Sequence, residues 1–142
     1  MTAHFLFEDD HVYIVSGNRN VRLQELKKDL GGPKEGGLDR ILVSDSRNPG
    51  LGFEGSHFYK INGMYYLFLI HSLPDRWMRT QACYVSDSLT GEFRGGDVLC
   101  DTMGYCGQGV AQGGIVDTPD HNGTPYFSRT EVLSAESRFL CQ

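Results

Sequence analysis

Glu54 opens the one stretch whose residue types and spacing could do chemistry, Phe53-Glu54-Gly55-Ser56-His57-Phe58-Tyr59-Lys60-Ile61-Asn62-Gly63-Met64-Tyr65-Tyr66-Leu67-Phe68-Leu69. Its carboxylate stands just before an aromatic-rich run, beside a glycine that lets backbone or ligand approach closely. A carboxylate at the mouth of an apolar hairpin is costly to desolvate, which makes Glu54 a candidate general acid. The plainer reading of the same residue is a solvated glutamate in the loop that leads into a strand. Ser56-His57 does not add a hydrolytic triad, because neighbouring strand residues point to opposite faces. His11 and His71 read as surface or strand-end residues, and the five histidines are scattered rather than spaced as metal ligands, so no metal and no cofactor is expected. Cys83, Cys100, Cys106 and Cys141 match no C-x-x-C pattern. Cys83 reads as a small core residue of a strand, and a Cys100–Cys106 disulfide stays open on spacing.

The elements that must hold Glu54 in place repeat along the chain. Asn62-Gly63 between two aromatic runs is a strong hairpin signal, because a two-residue type I′ turn needs positive φ at both central positions. The same order occurs earlier: Phe5-Leu6-Phe7, a turn at Glu8-Asp9-Asp10, then Val12-Tyr13-Ile14-Val15. Each pair is followed by a third strand, Val21 to Leu26 and Gln81 to Val85, and by a short fourth, Ile41-Leu42-Val43 and Val98-Leu99. Phe7 to Tyr59 is 52 residues and Ile41 to Val98 is 57, and a third unit opens near Gly114-Ile115-Val116-Asp117. Four short strands per unit at a period near 50 is the pattern of a β-propeller blade. The expected fold is all-β, a partial β-propeller of about two four-stranded blades plus the start of a third. Propellers close with about four to eight blades, so open end blades would expose unpaired edges and apolar faces. Residues 1–120 are expected to form the propeller part. Residues 121–142 form a divergent tail, with Thr124 to Gln142 polar, unlike a blade strand, and poorly ordered.

Composition narrows the function classes. Of 142 residues, 39% are hydrophobic and 22% charged, with 18 glycines, eight Phe and seven Tyr, which suits aromatic strands joined by tight turns rather than disorder. The formal charge of −5, with no basic patch, argues against nucleic acid. No stretch approaches the roughly 18 apolar residues of a membrane span. Met1-Thr2-Ala3-His4 before Glu8-Asp9-Asp10 lacks the regions of a signal peptide, which leaves localisation open.

The Glu54 to Phe68 stretch, with its Glu-Gly-x-x-x-x-Lys-x-x-Gly-x-Tyr-Tyr core, resembles glycoside hydrolase family 43. So does Gly107-Gln108-Gly109-Val110-Ala111-Gln112-Gly113-Gly114-Ile115-Val116-Asp117-Thr118-Pro119-Asp120, and the likeness extends to Val12 to Val15, Pro33 to Gly36 and Ala82 to Ser88. The resemblance implies a five-bladed propeller acting with inversion on xylose- and arabinose-containing polysaccharides, nearest the β-xylosidase and α-L-arabinofuranosidase branch. It implies that Glu54 is the general acid and that a carbohydrate is the partner, with secretion in keeping with the full-length relatives. Inverting hydrolysis pairs such an acid with a carboxylate that activates water about 6.5–9.5 Å away.

The family pattern also carries a base Asp on the first blade and an orienting Asp in an Asp-Pro-Ser motif at the start of the next. Alignment of the first unit puts Thr2-Ala3-His4 where Asp-Pro-Ser should be, and the first blade falls upstream. Asp9 and Asp10, in the outer hairpin turn, do not replace these carboxylates. The chain is therefore expected to be a catalytically incomplete fragment, and the calcium ion known in the channel of relatives would need later blades. Gln112 holds the blade position of Glu54 in the third unit and is a candidate for hydrogen bonding a sugar hydroxyl. Phe53 is a candidate for stacking on a sugar, against core packing, and Trp77, beside Arg76, for the pocket rim. The competing classes are a non-catalytic carbohydrate-binding remnant and a kelch-like interaction propeller; the absent paired-Gly pattern argues against the latter.

Overall fold

In a computed structural model, the structure describes residues 2–99, 109, 112–116 and 124–128. Period-two alternation dictates the first unit. In β1 (Ala3–Glu8) Phe5 and Phe7 are exposed while His4, Leu6 and Glu8 turn inward, and β2 (His11–Ser16) and β3 (Asn20–Leu26) bury Tyr13, Val15, Val21 and Leu23. β4 (Asp39–Ser44) closes an antiparallel sheet in the order β1-β2-β3-β4. β3 ends at Leu26, and the chain then turns through residues 27–32.

The second unit repeats this arrangement with β5 (Glu54–Ile61), β6 (Met64–Ser72), β7 (Arg79–Ser86) and β8 (Arg94–Leu99), in the order β5-β6-β7-β8. Both opening hairpins turn in two residues with positive φ at the first, Asp9 at 50° and Asn62 at 50°; Gly63 follows at 78°, as a type I′ turn requires. β9 (Gln112–Val116) opens a third unit and pairs with β10 (Thr124–Ser128), Gln112 opposite Ser128. β10 corrects the expectation that no blade strand follows Asp120: Thr124-Pro125-Tyr126-Phe127-Ser128 is a second strand, its aromatic pair flanked by polar residues that mask the pattern. The rest of the expected tail, from residue 129, and the Cys100–Cys106 pairing lie outside the described residues.

There is no helix among the described residues, and the fold is all-β, two four-stranded antiparallel sheets that form part of an unclosed propeller. The core lies between the two sheets. Tyr13, Val15, Val21, Leu23 and Leu42 from the first meet Phe58, Tyr65, Leu67, Leu69 and Ala82 from the second, with Phe53, Leu89 and Phe93 added from connections. Phe58 lies parallel to Tyr65 at 6.0 Å and tilted to Phe93 at 5.9 Å, an aromatic cluster within the second unit that faces the apolar residues of the first. At the hairpin end, Glu8 of β1 accepts hydrogen bonds from Tyr65 and Lys60, a polar clasp from one blade to the next. Burial pushes the Cys83 thiol up to about 11, in keeping with an inert packing residue.

Candidate active site

Glu54 is the first residue of β5 and half-buried. Its direction is set by a break in register. Glu54 lies opposite Ile70 and His57 opposite Phe68, so three steps along β5 match two along β6. The extra residue makes a β-bulge at Gly55-Ser56, and Gly55 takes φ 64°, a conformation open to glycine at little cost. Ile70 and Phe68 share a face of β6, so the bulge puts Glu54 on the face of His57 and Tyr59. An unbroken ladder would have aligned it with Ser56 and Phe58, which are 1% exposed in the core. The same alternation separates Ser56 from His57: the Ser56 hydroxyl lies 3.4 Å from the Val15 carbonyl, buried against the first blade, and no triad forms.

Two neighbours from the first blade reach this carboxylate. Asn18, in the β2–β3 turn, donates its side-chain amide to Glu54 Oε2 at 3.4 Å, and the next backbone N–H, that of Arg19, donates to the Phe53 carbonyl at 2.7 Å. His4, two residues after the Thr2 that aligns with the aspartate of Asp-Pro-Ser, lies half-buried with its ring 5.7 Å from His57 and 5.2 Å from Tyr59. Burial lowers the pKa of both imidazoles, and the nearby His4 lowers that of His57 further, so this cluster favours neutral rings. Asp9 and Asp10 are exposed in the β1–β2 turn, at the opposite end of the sheet from Glu54.

The crossover of residues 45–53 delivers the chain from outer strand β4 to Glu54. Arg19 donates from Nη1 to the Asn48 carbonyl at 2.5 Å and from Nη2 to the Gly50 carbonyl at 2.7 Å. Asn48 donates to Asp45 Oδ2 and to the Ser72 carbonyl, and the Leu51 N–H donates to Ser72 Oγ. His71, on β6, holds both ends of a carboxylate pair: Nδ1 lies 2.8 Å from Asp45 Oδ2 and Nε2 2.6 Å from Asp97 Oδ1. Neither Asn18 nor Arg19 was singled out from sequence, and His71, read there as a surface or strand-end residue, lies near the end of β6 with its side chain only 12% exposed. For His71 a signal existed: it continues the inward row Leu67, Leu69, and a polar residue there needs partners.

The other expected site residues separate. Phe53 is 3% exposed, with its ring against His71 at 4.9 Å and Tyr84 at 5.6 Å. It is a core residue with no face left for a sugar, a correction to the stacking expectation; the core between the blades claims it. Trp77 is 59% exposed in the β6–β7 loop, whose base is closed by the Leu73 N–H to Met78 carbonyl bond. Because β6 runs antiparallel to β5, this loop lies at the end of the sheet where β5 begins, the end of Glu54. Gln112 begins β9 as Glu54 begins β5. Among the described residues no His, Cys, Asp and Glu group is arranged to hold a metal ion.

No family description matches the chain, and no curated protein matches it. Solved structures do. A bifunctional GH43-CE protein of Bacteroides eggerthii is 40% identical over 88% of this chain, with a TM-score of 0.72. This chain belongs to glycoside hydrolase family 43. It is a short piece of the family architecture, spanning 16% of the length of the Bacteroides eggerthii protein. A GH43 enzyme engineered to display both endo-xylanase and exo-arabinofuranosidase activity is 26% identical over 88% of this chain, which covers 22% of it, with a TM-score of 0.62. A β-xylosidase/α-arabinofuranosidase from a compost metagenome, solved with xylotriose, shares the fold at 17% identity and a TM-score of 0.59, over 87% of this chain and 41% of its own.

Proposed function

We propose that this chain carries the general acid of an inverting glycoside hydrolase acting on xylose- or arabinose-containing oligosaccharides or polysaccharides. Glu54 is that acid, donating its proton to the leaving glycosidic oxygen. The observation that carries the reading is the bulge at Gly55-Ser56, which turns Glu54 out of the core at the start of an inner strand. Kinship with family 43 supports the substrate class, as do solved neighbours that include a GH43 β-xylosidase/α-arabinofuranosidase with xylotriose and an arabinanase with arabinohexaose. Trp77, exposed at the same end, serves as a rim on which a sugar ring stacks, and Gln112 donates to a sugar hydroxyl.

A second reading, carbohydrate binding without turnover, draws on Thr2 and His4. Thr2 aligns with the family's orienting aspartate, and neither its hydroxyl nor the neutral imidazole of His4 supplies that negative charge. General acid–base groups are each worth about 10²–10⁴-fold, so loss of the base and of the orienting Asp should leave hydrolysis by this polypeptide negligible.

Trp77 is the only tryptophan, so its fluorescence reports sugar binding directly. Xylotriose or arabinohexaose should quench or blue-shift it and perturb Glu54 resonances, with aryl xyloside and arabinofuranoside turnover matching a Glu54→Gln control. Unmoved fluorescence and Glu54 signals at millimolar sugar would overturn both readings. Turnover above the control would support the acid and reveal a base in these residues.

A further inference from the structure

We propose that His71 is a positioning residue, a proton-operated latch that clamps Asp45 to Asp97 and thereby fixes the crossover presenting Phe53 and Glu54. Its bearing on catalysis rests on the reading of Glu54 as the acid; the latch itself does not.

The argument begins with hydrogen-bond bookkeeping. Both ring nitrogens of His71 face carboxylate oxygens, at 2.8 and 2.6 Å. A carboxylate only accepts, so both nitrogens must donate, and only the imidazolium has two N–H groups. A neutral ring would leave one carboxylate facing a lone pair. The three groups come from three elements: Asp45 begins the crossover, His71 lies near the end of β6, and Asp97 belongs to outer strand β8. The His71 side chain is 12% exposed, so its charge is poorly replaced by water when the clamp opens.

The ring also packs. One side meets Phe53 at a centroid distance of 4.9 Å, and Phe53 precedes Glu54. A shift of the imidazole is therefore passed to the residue beside the acid. The charged and titratable groups around it are the Asp45 and Asp97 carboxylates, the Tyr84 phenol of β7, which feels both, and the Arg19 guanidinium across the crossover on the Asn48 and Gly50 carbonyls. Burial draws the imidazole pKa down, but the bonds to Asp97 and Asp45 more than reverse this, leaving it above 6.5. A raised folded value means that the latch is fully closed below pH 6.5 and is lost as pH rises through the folded pKa.

The test is a pH titration of the folded chain by NMR, with ring nitrogens of His71 assigned through His71→Gln. The His71 ring should titrate above 6.5. Protection of the Asn48, Leu51 and Ser72 amides against hydrogen exchange should drop through that midpoint, by about tenfold for each unit the pKa is raised. Protection of the Leu23 amide, in the core of the first sheet, should not change. The Glu54 carboxyl carbon should show an inflection at the His71 midpoint, absent in His71→Gln. If that variant does not fold, Asp97→Asn serves instead, lowering the midpoint by removing one negative charge. A ring that titrates at or below 6.5, crossover protection that stays flat, an equal loss at Leu23, or a Glu54 signal without the inflection would each overturn the proposal. Added sugar can leave the Trp77 fluorescence and Glu54 signals unmoved, which overturns the acid assignment, while all these pH signals appear without sugar, so failure of the acid assignment is distinguishable from failure of the latch.

Discussion

Replacing Arg19 tests how firmly the crossover holds the site. The guanidinium gives two forked hydrogen bonds, to the Asn48 and Gly50 carbonyls at 2.5 and 2.7 Å, and its stem lies over Gly52, where an added Cβ would come within 2.5 Å of Arg19 Cγ. Hydrogen bonds from charged donors contribute about 1.5–3 kcal/mol each. Both of these are only part-buried, so Arg19→Ala is expected to cost about 3 kcal/mol, the low end for the pair. Arg19→Lys should recover less than half, because a single ammonium cannot reproduce the fork. The backbone adds a sharper test. Arg19 sits at φ 65°, where a non-glycine residue carries about 1–2 kcal/mol of strain. Alanine keeps that strain and glycine relieves it, so Arg19→Gly should be the less damaging truncation, by about 1 kcal/mol. Urea denaturation with a common slope gives all three values. Arg19→Ala within about 0.5 kcal/mol of the parent, or Arg19→Gly worse than Arg19→Ala, would refute the reasoning, since surface substitutions fall within that margin.

Two further outcomes are expected elsewhere. Hydrogen bonds from Lys34 and His11, partly offset by burial, hold the Glu25 carboxyl at about 2 against 4.5 for the free group. Its stabilising effect is thus complete above pH 4.5 and disappears as pH falls through about 2, so Glu25→Gln should lower stability at neutral pH and flatten the acid limb of the stability curve; an unchanged limb counts against it. Phe58, 1% exposed between Tyr65 and Phe93, should cost about 3–5 kcal/mol on replacement by alanine, read by thermal or urea unfolding, and a loss under about 1.5 would mean that the blades repack around the gap.

The strand plan was legible because alternation and turn chemistry are local. Val21 and Leu23 alternate with the exposed or half-exposed Asn20, Arg22 and Gln24, and Asn62-Gly63 can take the required positive φ with few competitors. Glu54 was legible as a residue but not as a direction: a bulge shows in the sequence only as Gly55, and glycines are common here. Phe53 was ambiguous for the same reason, since an aromatic before a strand suits a sugar face or a core, and only the packing of Tyr84 and His71 against it decides. The Asp45–His71–Asp97 cluster joins residues 26 apart on either side, a separation with no local signature. β10 was hidden because its Tyr126-Phe127 pair is short and follows a proline.

Every ladder among the described strands joins neighbours in the chain, β1 to β2 to β3 to β4, then β5 to β8 in the same succession. Each sheet can thus assemble from its own contiguous segment before it meets the next, a route with short loop closures and few long-distance searches. The same economy bears on descent. Duplicating or excising one segment of roughly fifty residues, cut within a crossover, breaks no backbone pairing inside any sheet. What such an event must rebuild is the side-chain seam between neighbours: Glu8 with Lys60 and Tyr65, Arg19 with its two carbonyls, and the apolar layer around Phe58. Lineages of this architecture are therefore free to change unit number cheaply in hydrogen bonds, while the seams record which units have long been neighbours.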